Sequence, residues 1–209
     1  MDQLLRFFNR LAKLSPGLRN HLKDVIEPHF YRKKKIIKDK GEKFEYIYYV
    51  EKGLIRAFTD NFAKDRSYRF RKEENFILYI DWDRIPSAPN EILEALEDSL
   101  VWGIPRDQVI HTIARFPEFN YHIGAIINHE FNTCRRQLKA LSAPIPEDRF
   151  QYFFRRERHL LSRIPTKYLA SYINVTEDMF ELMKQNKESG KMDTSCSTIS
   201  DLVTGRSWN

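Results

Sequence analysis

Five basic side chains, Arg155, Arg156, Arg158, Arg163 and Lys167, gather ahead of and into the stretch IPTKYLASYINVTEDMFELMK, residues 164–184. Guanidinium and ammonium groups clustered in this way suit backbone phosphates, which they hold by charge without reading sequence. A solvated helix face has the same composition, so both readings stand. Other chemistries find less. The six histidines, His21, His29, His111, His122, His129 and His159, show no spacing of the H-E-x-x-H kind. His122 and His129 lie seven apart on an expected helix and could share a face, where an interface or solvent role fits better than a metal. Cys134 and Cys196 form neither a metal-ligand cluster nor a disulfide framework. Asp81 and Asp83 flank Trp82, but two carboxylates at i,i+2 without further partners carry no catalytic argument. With no G-x-S-x-G elbow and no Walker loop, the expectation is no catalytic residue, no metal and no cofactor.

The element that must position the basic cluster is a pair of short helices. Thr166 is placed to cap the first, which runs through Ile173, and Asn174 tolerates a left-handed turn. Val175 can plug the angle between the helices. Thr176 then caps a second helix with Glu177 and Asp178 in its first turn, and small Ala170 permits close approach. The pattern describes a helix-turn-helix, although helical hairpins of other kinds share it.

The remainder reads as an α+β chain. With 209 residues and 42% hydrophobic composition, one large or two modest cores can form. No stretch approaches 18 apolar residues, so no membrane span is expected, and the N-terminus lacks a signal-peptide pattern, which suggests a cytoplasmic protein. Helices are expected over residues 2–13 and 15–28, the latter capped by Ser15 with Pro16 at its first position. Residues 44–51 alternate as a strand with one strongly apolar face. Turns are read at 40–42 and 51–53, and LIRAF, SYRF, FILYI and SLVWGI add four candidate strands. Short strands without room for crossover helices favour an antiparallel roll over an α/β sheet. A Pro-rich loop and a short helical stretch are expected in IPSAPNEILEALEDS, and another helix in RDQVIHTIARF.

The longest helix is expected within residues 117–142. Ile123, Ile127, Phe131, Cys134, Leu138 and Leu141 fall three and four apart on it, close to a heptad seam. That helix could be a connector or dimer spine, or could pack on its own sheet. Pro144 and Pro146 mark a boundary, followed by an amphipathic stretch with Phe150, Phe153 and Leu160 as core candidates.

The segment 148–184, together with GEKFEYIYYVEKGLIRAF upstream, resembles Crp/Fnr-type bacterial regulators. The resemblance extends loosely over residues 15–187. It implies a cyclic-nucleotide-binding-like β-roll over residues 1–116, a dimerisation helix over 117–142, a winged-helix-like domain over 143–187 and a flexible tail over 188–209. It also implies a homodimer that binds palindromic DNA. Members of the resembling branch carry a Ser-Arg pair in the second helix, the residues that meet DNA. Aligned on Thr176, that pair falls on Glu181 and Leu182, and Leu182 cannot form the bidentate fork by which arginine reads guanine. Asn174 replaces the usual glycine, a mild change. Phosphate contacts are therefore assigned to Arg155, Arg156, Arg163, Lys167 and Lys184, with weak sequence specificity. The family's nucleotide-binding motif has no match in DWDRIPSAPNEILEALEDS, so cyclic nucleotides are not expected to bind. An unknown small effector, apolar or aromatic in its lining, is left open.

Charge supports caution. Residues 30–72 hold fourteen Lys/Arg against six Asp/Glu, a local net charge of +8, whereas residues 142–209 hold ten against nine. Two functions follow: a DNA-binding transcriptional regulator, or a sensor or protein-interaction module whose helix-turn-helix has become structural.

Overall fold

The computed structural model describes residues 1–61, 64–78 and 90–189. The chain divides into two compact units, Met1–Glu130 and Phe131–Asn209. In the first, helices α1 (Asp2–Leu11) and α2 (Pro16–Val25) precede eight strands: β1 (Glu27–Tyr31), β2 (Ile36–Lys38), β3 (Tyr46–Lys52), β4 (Ile55–Asn61), β5 (Lys64–Arg71), β6 (Phe76–Ile77), β7 (Glu91–Ala95) and β8 (Ser99–Pro105). Helices α3 (Arg106–Arg115) and α4 (Phe119–Leu141) follow, the boundary between the units falling within α4. The strands form two antiparallel four-stranded sheets, ordered β1-β8-β3-β6 and β2-β7-β4-β5. This is the α+β architecture with an antiparallel roll that the strand pattern implied.

Two apolar clusters hold the unit together. Phe44, Tyr48, Val50, Ile55, Ala57, Ile77, Leu93 and Val101, drawn from both sheets, form one. Tyr49, Phe76 and Ile104 join Leu4, Leu5, Phe8, Leu18 and Leu22 of the N-terminal helices in the other. β3 thus buries both faces, Tyr48 on one side and Tyr49 on the other, not the single apolar face expected. Helix α2 is capped as its sequence implies, Ser15 Oγ accepting from the Leu18 amide at 3.2 Å. It ends at Val25, and Pro28 lies within β1, on the edge of its sheet, where a missing amide costs no ladder bond. The turns at Gly41 and Gly53 take φ of 78° and 106°, and at Gly53 a Cβ would collide with Ser99.

One expected helix is a strand. Glu91–Ala95 pairs with β4 in register from Ile55↔Ala95 to Thr59↔Glu91, and with β2 on its other side. Glu, Leu and Ala favour helix locally, but pairing between two neighbouring strands overrides so weak a preference. The Pro-rich loop, Asp81, Trp82, Asp83, Cys196 and the expected tail beyond residue 189 lie outside the described residues.

Helix α4 has 23 residues, about 34 Å at 1.5 Å per residue. Phe119, His122, Ile126 and Glu130, spaced three, four and four, form its buried stripe. His122 is fully buried, with ring nitrogens 3.1 Å from the carbonyls of Glu118 and Ala12. It is a core histidine rather than an interface or solvent one. His129 is exposed, so the two share no environment.

In the second unit, α5 (Pro146–Glu157) and a 3-10 turn (Arg158–Leu160) lead into α6 (Thr166–Ile173) and α7 (Glu177–Glu188). Phe150, Phe153, Leu160, Ile164, Leu169, Ala170, Ile173, Phe180 and Met183 are its buried apolar residues.

Candidate nucleic-acid interface

The turn between α6 and α7 is built from its own residues. Asn174 has φ 58° and ψ 57°, the left-handed region that asparagine tolerates. Its amide donates to Ser171 O at 3.2 Å, and that of Val175 to Ala170 O at 3.0 Å. Thr176 Oγ1 accepts from the Met179 amide at 3.3 Å and so caps α7. Ala170, 1% exposed, allows the close approach of the helices. Val175 is only half-buried, and Ile173 and Phe180 fill the angle instead, Phe180 meeting Phe150 edge-on at 5.3 Å between centroids.

Thr166 does not cap α6. The N-cap is Pro165, and the Thr166 hydroxyl donates to Glu181 Oε1 at 2.6 Å. Glu181, which occupies a position expected to meet DNA, therefore ties the second helix back to the first. Its other oxygen lies 4.0 Å from Lys184 Nζ. Leu182 is 57% exposed, and Glu177, Asp178 and Gln185 are exposed with it. The outward face of α7 is thus acidic and apolar, a poor match for a phosphate-lined groove.

The cations stand elsewhere. Arg155, Arg156, Arg158 and Lys167 are exposed and Arg163 half-buried. Arg156 lies over the Tyr152 ring at 5.8 Å, Lys167 over Tyr168 at 4.8 Å, and both Arg158 and Lys187 over Phe154, at 5.2 and 5.9 Å. Such contacts orient the charged heads while leaving their hydrogen-bond donors outward.

The residue that organises this unit went unread in the sequence. Arg149, 8% exposed, donates from Nε to Ile173 O (2.8 Å), from Nη1 to Ala143 O (2.6 Å) and Pro144 O (3.2 Å), and from Nη2 to Asn174 O (3.2 Å). It fastens the segment after α4 to the turn between α6 and α7. Its signal was its position, one helical turn before Phe153 on the apolar stripe of α5.

Two charged groups in the first unit were likewise missed. Arg69 and Arg71 of β5 converge on Glu130 Oε2 of α4, at 3.1 and 2.5 Å. Within the roll, Lys38 Nζ donates to Glu91 O at 2.9 Å and sits 5.0 Å from the Phe44 ring centroid. Burial raises the pKa of Glu91 against the opposing pull of Tyr68, Lys38 and the two arginines, and burial lowers that of Lys38. Among the described residues, Glu91 Oε1 has no hydrogen-bond partner.

The expected seam on α4 divides. Ile123 packs partly against the helical core of the first unit, and Ile127 and Leu141 are half-buried. Phe131 (59%), Leu138 (69%) and Cys134 are exposed. The helix packs on its own roll through one half and presents apolar groups along the other. Among the described residues no cluster of His, Cys, Asp or Glu could hold a metal ion, and no helix is long and apolar enough to cross a membrane.

Solved structures share this fold. FixK2 from Bradyrhizobium japonicum superimposes with a TM-score of 0.67 at 18% identity, over 82% of this chain and 89% of that one. A protein from Eubacterium rectale assigned to the Crp/Fnr family of transcriptional regulators gives 0.65 at 14%, over 87% and 88%. The c-di-GMP-responsive global regulator CLP from Xanthomonas campestris gives 0.62 at 15%, over 85% and 93%. No protein-family model matches the chain, and no curated protein matches it in sequence. The fold is that of Crp/Fnr-type regulators, a roll followed by a long helix and a helix-turn-helix unit.

Proposed function

We propose that the chain is a Crp/Fnr-type transcriptional regulator that acts as a homodimer and binds DNA mainly through phosphate contacts. The observation that carries this reading is the α6–Asn174–α7 turn, capped at Thr176 and clamped by Arg149, with exposed cations of α5 beside it. Arg155, Arg156, Arg163 and Lys167 supply the phosphate contacts, with Lys184 adding a fifth charge. Dimerisation through Phe131, Cys134 and Leu138 would cover the exposed stripe of α4 and place two helix-turn-helix units on one duplex. Glu181 and Leu182 leave base readout weak. The reading includes no catalytic activity and no response to cyclic nucleotides.

The test is selection from a random duplex pool at low salt, followed by titration across a salt series. Recovery of a palindrome supports the proposal. Failure to retain any duplex at about 50 mM salt, where several phosphate contacts hold DNA strongly, would refute it and leave the outward face of α7 as a protein-contact surface. Calorimetry with cyclic AMP and cyclic GMP checks the effector claim, and micromolar binding of either would reverse it.

A further inference from the structure

The positive charge of residues 30–72 is not absorbed by the helix-turn-helix, and the structure separates its parts. Arg56 is fully buried and pairs with Glu94 and Asp65. Arg69 and Arg71 are spent on Glu130, and Lys38 on backbone carbonyls inside the roll. The β1–β2 turn is different. Arg32, Lys33, Lys34 and Lys35 are consecutive and exposed, and among the described residues none of their side chains has an ion-pair partner.

Their backbone is held firmly. The Lys33 amide donates to Asp98 Oδ1 (2.8 Å), that of Lys34 to Ala95 O (2.7 Å) and that of Lys35 to Arg32 O (3.0 Å), while the Ala95 amide donates to Lys35 O (2.9 Å). Lys34 sits at φ 69°, where a glycine or asparagine would be less strained. A lysine at this position keeps a charge at a conformational cost. The turn links β1 and β2, the outer strands of the two sheets, and so lies at a corner of the roll. Among the described residues, Glu97 and Asp98 are the acids of the adjoining turn, the Asp98 carboxylate being engaged by backbone, and Glu94, across from Ile36, pairs with Arg56.

We infer that the turn at residues 32–35 is a second phosphate-contact surface, which takes the backbone of duplex DNA. This rests on the DNA-binding reading above and extends it. A run of four cations with no intervening acid matches a polyphosphate chain. The second unit carries cations on and after α5 but is nearly neutral overall, with an acidic outward face on α7, so a further source of positive charge would add to its hold on a duplex. The exposed Phe30 (77%) and Ile36 (38%) flank the turn. Two apolar side chains without an amphipathic helix are too little for stable insertion into lipid, so duplex is the partner the charge favours.

The test uses the full chain and a mixed-sequence 40-base-pair duplex, with anisotropy titrations from 50 to 200 mM salt. The variant replaces Arg32, Lys33, Lys34 and Lys35 by Gln, and a control replaces Arg6, Lys13, Arg19 and Lys23, exposed cations elsewhere on the same unit. Each lost contact lowers the log–log salt slope by about 0.9, or about 3.5-fold in affinity over that range. A drop of two contacts or more in the turn variant alone supports the inference. Equal slopes for wild type and turn variant, or an equal drop in the control, overturn it while leaving the DNA-binding reading intact. Absence of wild-type binding at 50 mM salt overturns both. Sedimentation with phosphatidylglycerol vesicles, lost in the turn variant while its DNA slope is unchanged, overturns it in favour of a lipid surface.

Discussion

Replacing Arg149 with Met should loosen the helix-turn-helix and leave the roll intact. The guanidinium makes four hydrogen bonds from three nitrogens, all to main-chain carbonyls, and no aliphatic side chain can replace them. Net values run to about 1 kcal/mol per bond and higher for charged donors. Pro144 and Asn174 are exposed, so their carbonyls can turn to water, whereas Ile173 is fully buried and its carbonyl would be left unpaired. The expected loss is about 3 kcal/mol, or roughly 150-fold in the opening equilibrium of the unit. Hydrogen exchange read by mass spectrometry reports on the two units separately and is the suitable assay. Amides of α6 and α7 should lose about two orders of magnitude of protection, with those of β3, β4 and β8 unchanged. Arg149→Lys should fall between, since one ammonium cannot span the fork. A loss below about 5-fold in α6 and α7, or an equal loss in the roll, would show that Arg149 does not hold the turn.

Other expectations follow from the same geometry. Glu181→Ser with Leu182→Arg should raise affinity and selectivity for a selected palindrome by about 1–3 kcal/mol per half-site, measured against scrambled DNA, at a small stability cost from the lost Thr166 bond. A wild-type preference of about 1,000-fold or more would mean that another residue reads bases. Phe131→Glu with Leu138→Glu should give monomers by sedimentation, because charge is driven into an apolar contact; a wild-type chain that is already monomeric at tens of micromolar would contradict the seam. Burial raises the Glu91 pKa above 4.5 in the folded chain, so its contribution is fully present below the unfolded value and is lost as pH rises through the folded one. Glu91→Gln should therefore gain thermal stability relative to wild type as pH climbs from 4 to 8, and a pH-independent difference would reject the assignment.

What the sequence disclosed was local. Ser15, Asn174 and Thr176 announce their caps and turn because each acts on amides or dihedrals within a few residues of itself. The roll was legible as many short strands, but not the order β1-β8-β3-β6, which pairs segments some seventy residues apart. β7 misled for the same reason, since its neighbours rather than its composition make it a strand. Thr166 looked like a cap because hydroxyls so often are, yet its partner lies fifteen residues on. Arg149 and Glu130 stood on apolar stripes, and a charge there is a sign of a buried partner that periodicity alone passes over.

The outward face of α7 has a consequence for how such a chain can drift. Arg149, Ile173 and Phe180 hold the turn through buried atoms, while Glu177, Asp178, Leu182 and Gln185 lie outside that scaffold. Exchanges at those outer positions cost little stability, since surface substitutions away from such features stay within about 0.5 kcal/mol. A lineage can then exchange what that face meets without passing through an unfolded intermediate. The same separation makes the helix pair a ready frame for engineering, where a new reading face can be written onto α7 and tested one residue at a time.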